Sequence, residues 1–163
     1  MIPGRNLPAR LPIAAVFLIT GCALLPVAAI GMENQANLQP AELSKMLSFA
    51  ESQHEIVVIL IHKKEFNQAL AEANKIFQLS WPPEKEMTLR KDLLYFADQF
   101  LHCGQAPLGV QLLSANLKAF KSSANRAAIL KEEGYLFKSM NQGDKALDCF
   151  REAQRLEKAE KQE

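Results

Sequence analysis

The stretch Leu130-Lys131-Glu132-Glu133-Gly134-Tyr135-Leu136-Phe137, followed by Ala146-Leu147-Asp148-Cys149-Phe150-Arg151-Glu152-Ala153, decides the fold. Its small and apolar residues recur at three- and four-residue intervals, the spacing of one face of a helix. Gly134 in the first segment and Ala146 and Ala153 in the second let two helix backbones lie close, and Leu130, Phe137 and Phe150 fill the seam. Between them Gly143-Asp144 supplies a turn and a helix cap. The stretch predicts a helical hairpin made to stack on others, a surface for docking rather than for chemistry.

Working outward, the same grammar extends back to Pro40, which suits a first helical turn because its missing N–H is not needed there. Leu43, Met46, Leu47 and Ala50 continue at helical spacing. The run Ile56-Val57-Val58-Ile59-Leu60-Ile61 has strand propensity, yet no turn separates it from the helix before it and no partner strand follows. It is therefore read as helix. Further helices are expected over Phe66–Leu79, Glu84–Cys103, Pro107 to about Phe120, Ser122 or Ser123 to about Asn141, and Lys145–Glu160. Ser80-Trp81-Pro82-Pro83 and Gly104 are the breaks. The expected fold is all-α.

Self-comparison aligns Ala69, Gly109 and Ala146, separated by 40 and 37 residues. Val57, Ala97 and Gly134 then fall in register, as do Leu60, Phe100 and Phe137, Ala73, Leu113 and Phe150, and Ile76, Asn116 and Ala153. The match is strong in the third unit, fair in the second and weak in the first. With Gly134, Phe137, Ala146 and Phe150 at the matching positions, the pattern resembles the tetratricopeptide repeat. Glu133 stands where that family usually has Leu, and Lys158 where it has Pro. The resemblance implies stacked antiparallel hairpins, a short solenoid with units of about 50–83, 90–123 and 127–160. The plainer reading is an irregular six-helix bundle. In the solenoid, the first helices would line a concave surface. Lys91, Leu94, Asp98 and Leu101 would face it from the second unit, and Lys131, Tyr135 and Lys138 from the third. Two lysines beside a tyrosine suggest capture of an acidic or carboxylate-ended peptide, so a protein or peptide partner is expected.

The first thirty-one residues read differently. Arg5 and Arg10 are followed by the uncharged, largely aliphatic run Leu11–Ile30, the layout of an export signal and long enough to cross a membrane. Ile19-Thr20-Gly21-Cys22 resembles a bacterial lipobox, which implies lipidation of Cys22 and anchoring through acyl chains. The apolar continuation Ala23–Ile30 equally fits an uncleaved membrane helix, and Val27-Ala28-Ala29 fits a cleavage site for free secretion. Each version places the folded part outside the cytoplasm, in the cell envelope facing the periplasm or exterior. Domain organisation is therefore expected as a leader or anchor at 1–31, a tether at 32–39 and a helical domain at 40–163.

Net charge of +1 gives no electrostatic case for nucleic acid. His54, His62 and His102 lack the spacing of a metal site, and seven scattered glycines form neither a phosphate loop nor a dinucleotide fingerprint. No cofactor, metal or catalytic residue is expected. Cys103 and Cys149 are read as small hydrophobes on helix faces, with a disulfide between them as an alternative in an exported chain. The expected function is a non-enzymatic, membrane-tethered interaction adaptor. The alternative is a structural subunit of an oligomeric or multiprotein envelope complex with no free groove.

Overall fold

The computed structural model describes residues 39–160, so the expected leader at 1–31, Cys22 within it and nearly all of the tether lie outside the described residues. Among the described residues there is no strand, and the chain is all-helical. Helix α1 runs Pro40–His62, α2 Phe66–Phe77, α3 Glu86–His102, α4 Ala106–Asn116, α5 Ser123–Ser139 and α6 Gly143–Glu160. The β-branched run Ile56–Ile61 lies within α1, with Val57, Leu60 and Ile61 buried. Burial of one helical face outweighs its local strand preference.

Element boundaries differ from the sequence expectations in informative places. Pro83–Lys85 forms a single 3₁₀ turn before α3, and Leu117–Ala119 another after α4, so α4 stops at Asn116 instead of near Phe120. The Asn116 side chain helps to close α4. Its Nδ2 donates to the Leu112 carbonyl (2.8 Å) and to Asn74 Oδ1 on α2 (2.7 Å). Helix α5 is capped by Ser122, whose Oγ accepts from the Asn125 N–H at 3.4 Å.

The helices pair as α1/α2, α3/α4 and α5/α6, each antiparallel, and successive hairpins pack on one another in chain order. Three turns join the pairs, and they are the same turn. Lys64, Gly104 and Asn141 carry φ of 62°, 72° and 58°, in the left-handed region. The N–H one residue later reaches back to close the preceding helix: Glu65 to Leu60 O (2.9 Å), Gln105 to Phe100 O (2.7 Å) and Gln142 to Phe137 O (2.9 Å). This is the Schellman bond that satisfies an orphan carbonyl at a helix end. Each next helix then opens with a bond from Ala69, Gly109 or Ala146 to Glu65, Gln105 or Gln142. The left-handed residues are spaced 40 and 37 apart, the interval of the sequence repeat.

The tight contacts of the second and third hairpins fall at repeat positions. A Cβ on Gly109 would sit 3.1 Å from Ala97 O and 3.0 Å from Leu136 Cδ1. A Cβ on Gly134 would sit 2.8 Å from Phe150 Cε1. A side chain at Gly134 would force Phe150 to shift and one at Gly109 would press on its neighbours, so both glycines answer to room rather than to backbone freedom. The main core runs through α1 to α5, from Val57 through Phe96 and Phe100 to Leu136. Ala127, Leu130, Ala153 and Leu156 form a smaller cluster between α5 and α6.

Candidate functional site

Helix α1 spans 23 residues against 12 in α2, so its N-terminal half runs on past the end of its hairpin partner. Leu47, Ala50 and Glu51 from that half, with His54 and Glu55 one turn further on, line one wall of an open cleft of about 480 Å³. Lys85, Thr88, Leu89 and Asp92, around the start of α3, line the other wall, and Trp81 contributes from the connection between α2 and α3. Trp81 is fixed by donating its indole N–H to the Ile76 carbonyl at 2.7 Å. Ser80-Trp81-Pro82-Pro83, expected only as a helix break, thus also supplies a lining side chain.

His54 ties the two walls together. Its ring stacks on Tyr95 (centroids 5.3 Å, planes 16° apart) and lies 4.8 Å from Phe96, while its Nδ1 is 3.9 Å from Asp92 Oδ1. That distance is electrostatic contact rather than a hydrogen bond. Burial raises the Asp92 carboxyl above its ordinary value, and the neighbouring His54 offsets only part of the effect. The Ser52 hydroxyl on the same wall is engaged within its own helix, donating to the Ser48 carbonyl at 3.0 Å. The arrangement has an apolar base, mixed polar walls and an open mouth, which is geometry for holding a ligand.

None of Lys91, Leu94, Asp98, Lys131, Tyr135 and Lys138 lines this cleft. Lys91 is exposed, while Leu94 and Leu101 are half-buried and pack against the main core. Asp98 faces His102, with Oδ2 to Nδ1 at 3.2 Å, and also acts on Glu132 across the α3–α5 boundary. Burial and that like charge raise the Glu132 carboxyl. Lys131 pairs with Glu157 of α6, which leaves Lys138 as the exposed lysine near Tyr135. Tyr135 is 56% exposed and meets the Phe150 ring edge-on at 5.2 Å. The structure thus brings Asp98 towards Glu132, and on α5 it sets Lys131 and Lys138 one turn before and after Tyr135, with Lys131 drawn to Glu157.

Two acids are buried. Glu86 accepts from the N–H groups of Lys121 (2.7 Å) and Ser122 (3.1 Å) and from Asn125 Nδ2 (2.9 Å), hooking the start of α3 to the approach to α5. Glu133, at the position where the repeat usually has Leu, accepts from Ser114 Oγ of α4 at 2.6 Å. Of the two cysteines read as small hydrophobes, Cys149 is half-buried and Cys103 is not buried. Cys103 is exposed and both are free thiols, so the alternative of a bridge does not hold. Burial, aided by Glu133 and Asp148, pushes the Cys149 thiol up to about 11.

Among the described residues, no group of three or more His, Cys, Asp or Glu is placed to hold a metal ion. No described helix is long and apolar enough to cross a membrane. No protein-family model, curated protein or solved structure matches the chain.

Proposed function

We propose that this chain is a non-enzymatic docking module of the tetratricopeptide type, in which stacked hairpins present the cleft between α1 and α3 to a protein or peptide partner. The observation that carries the reading is the threefold recurrence of one left-handed turn at intervals of 40 and 37 residues, in register with the sequence repeat. A repeated turn builds a stack, and a stack exposes the grooves between its first helices. The leader, with Arg5 and Arg10 before Leu11–Ile30 and the lipobox-like Ile19–Cys22, supports tethering to a membrane with the folded part facing outward in the cell envelope.

A photo-crosslinking residue at Thr88, on the cleft wall, tests docking in the intact cell. Discrete adducts are expected there and not at Gln111, an exposed position on α4. Equal adducts at both positions, or none at Thr88, would reject the reading. Mass spectrometry of the mature N-terminus tests the tether by distinguishing acylated Cys22, an intact leader and a cut near Ala29.

A second reading, a structural subunit that associates with copies of itself or with a fixed complex, has its own support. Phe49, Ile56 and Ile59 are 42%, 42% and 51% exposed on the flank of α1, an unusual run of apolar surface for the first helix of a stack. Sedimentation of residues 37–163, which carry all of the described helices, separates the two. A monomer at all concentrations favours the docking module.

A further inference from the structure

We propose that the cleft between α1 and α3 receives a peptide segment in which an apolar side chain is flanked by lysine or arginine, the opposite charge preference from the one the lysines of α5 suggested. The inference rests on the docking reading and adds the chemistry of the occupant. The apolar component follows from Leu47, Ala50, Leu89 and Trp81, which give the cleft a surface for an aliphatic or aromatic side chain. Its volume of about 480 Å³ accommodates such a side chain together with adjoining backbone.

The basic component follows from charge. Glu51 and Glu55 on the α1 wall and Asp92 on the α3 wall stand against Lys85 as the one lysine among the lining residues. Asp92 is half-buried and shares its environment with His54 at 3.9 Å, a distance that leaves its carboxylate oxygens able to accept from a guanidinium or ammonium group. An acidic peptide, a nucleic acid or an anionic membrane surface would meet like charge at this opening.

The test uses the purified full chain and three capped peptides of equal length, in which leucines alternate with arginine, with glutamate or with glutamine. The arginine peptide is expected to bind about tenfold or more tighter than the glutamate peptide, and the preference should shrink as salt is raised. Glu55→Gln with Asp92→Asn should remove most of the preference. Thr88→Arg, which places a cation on the exposed wall with little demand on the core, should block the arginine peptide. Thermal melts of each variant check that the fold is retained. Glutamate peptides that bind as tightly as arginine peptides would overturn the proposal and leave docking intact. A preference that survives Glu55→Gln with Asp92→Asn would place the cation elsewhere and overturn it as well. Failure of all three peptides would also overturn it, whereas the docking reading is decided separately by the cross-linking at Thr88 and Gln111.

Discussion

A methyl group on Gly134 would lie 2.8 Å from Phe150 Cε1, whereas one on Gly104 meets nothing within 4 Å. Gly134→Ala should therefore destabilise by about 1–3 kcal/mol through overpacking, and Phe150→Leu in the same chain should return part of the loss. Urea denaturation of the two single variants and the double variant checks this, and purely additive losses would contradict the contact. Glu86 and Asp92 give paired predictions of opposite sign in pH. Burial opposes the Glu86 charge, but its bonds from Asn125, Lys121 and Ser122 outweigh it and hold the carboxyl below its ordinary 4.5. The stability it contributes is present above that value and is lost as pH falls through the lowered folded value. Glu86→Ala, which strands three donors, should cost about 1–3 kcal/mol at neutral pH and progressively less in acid. Asp92 runs the other way because burial raises its carboxyl above 3.8. Its favourable contribution is complete below that value and is lost as pH rises through the raised folded value. Asp92→Asn should match the parent in acid and gain on it towards neutrality, as read from urea midpoints across a pH series.

At the scale of elements, the three hairpin turns make a matched set. Lys64→Gly should stabilise by up to about 1 kcal/mol by relieving a left-handed lysine, and Gly104→Ala should lose about 1 kcal/mol for the converse reason. Thermal melts that moved both in the same direction would refute the turn geometry. This set also shows what the sequence made legible. Helix type was readable even through Ile56–Ile61, because no turn parts the run from the helix before it and a lone strand would have had no partner. The repeat was readable through Ala69, Gly109 and Ala146, because close packing restricts residue size. The common turn was hidden, since Lys64, Gly104 and Asn141 share a backbone conformation but no side-chain chemistry. Buried Glu86 and Glu133 were hidden because an acid reveals its burial only through distant partners such as Lys121 and Ser114. The cleft was half visible. Shifting Lys91 and Leu94 by the 40-residue repeat lands on Glu51 and His54, both of which line it. The first unit matches the repeat too weakly for its sequence alone to mark the cleft.

Across the whole molecule, packing is dealt out unevenly. The main core links α1 through α5, while α6 joins through α5 and the small cluster of Ala127, Leu130, Ala153 and Leu156. Cys149 lies on α6, and its thiol is held up to about 11, whereas Cys103 is exposed at the end of α3. A thiol reagent at neutral pH should label Cys103 promptly, and Cys149 slowly, at a rate that climbs in mild urea before the global transition. Peptide mapping by mass spectrometry reads both sites, and equal labelling rates would contradict this distribution. The single-neighbour attachment of α6 also has a bearing on how the chain survives wear. Among the described helices, a protease should find α6 the easiest to loosen, and the chain without α6 would still carry the opening between α1 and α3.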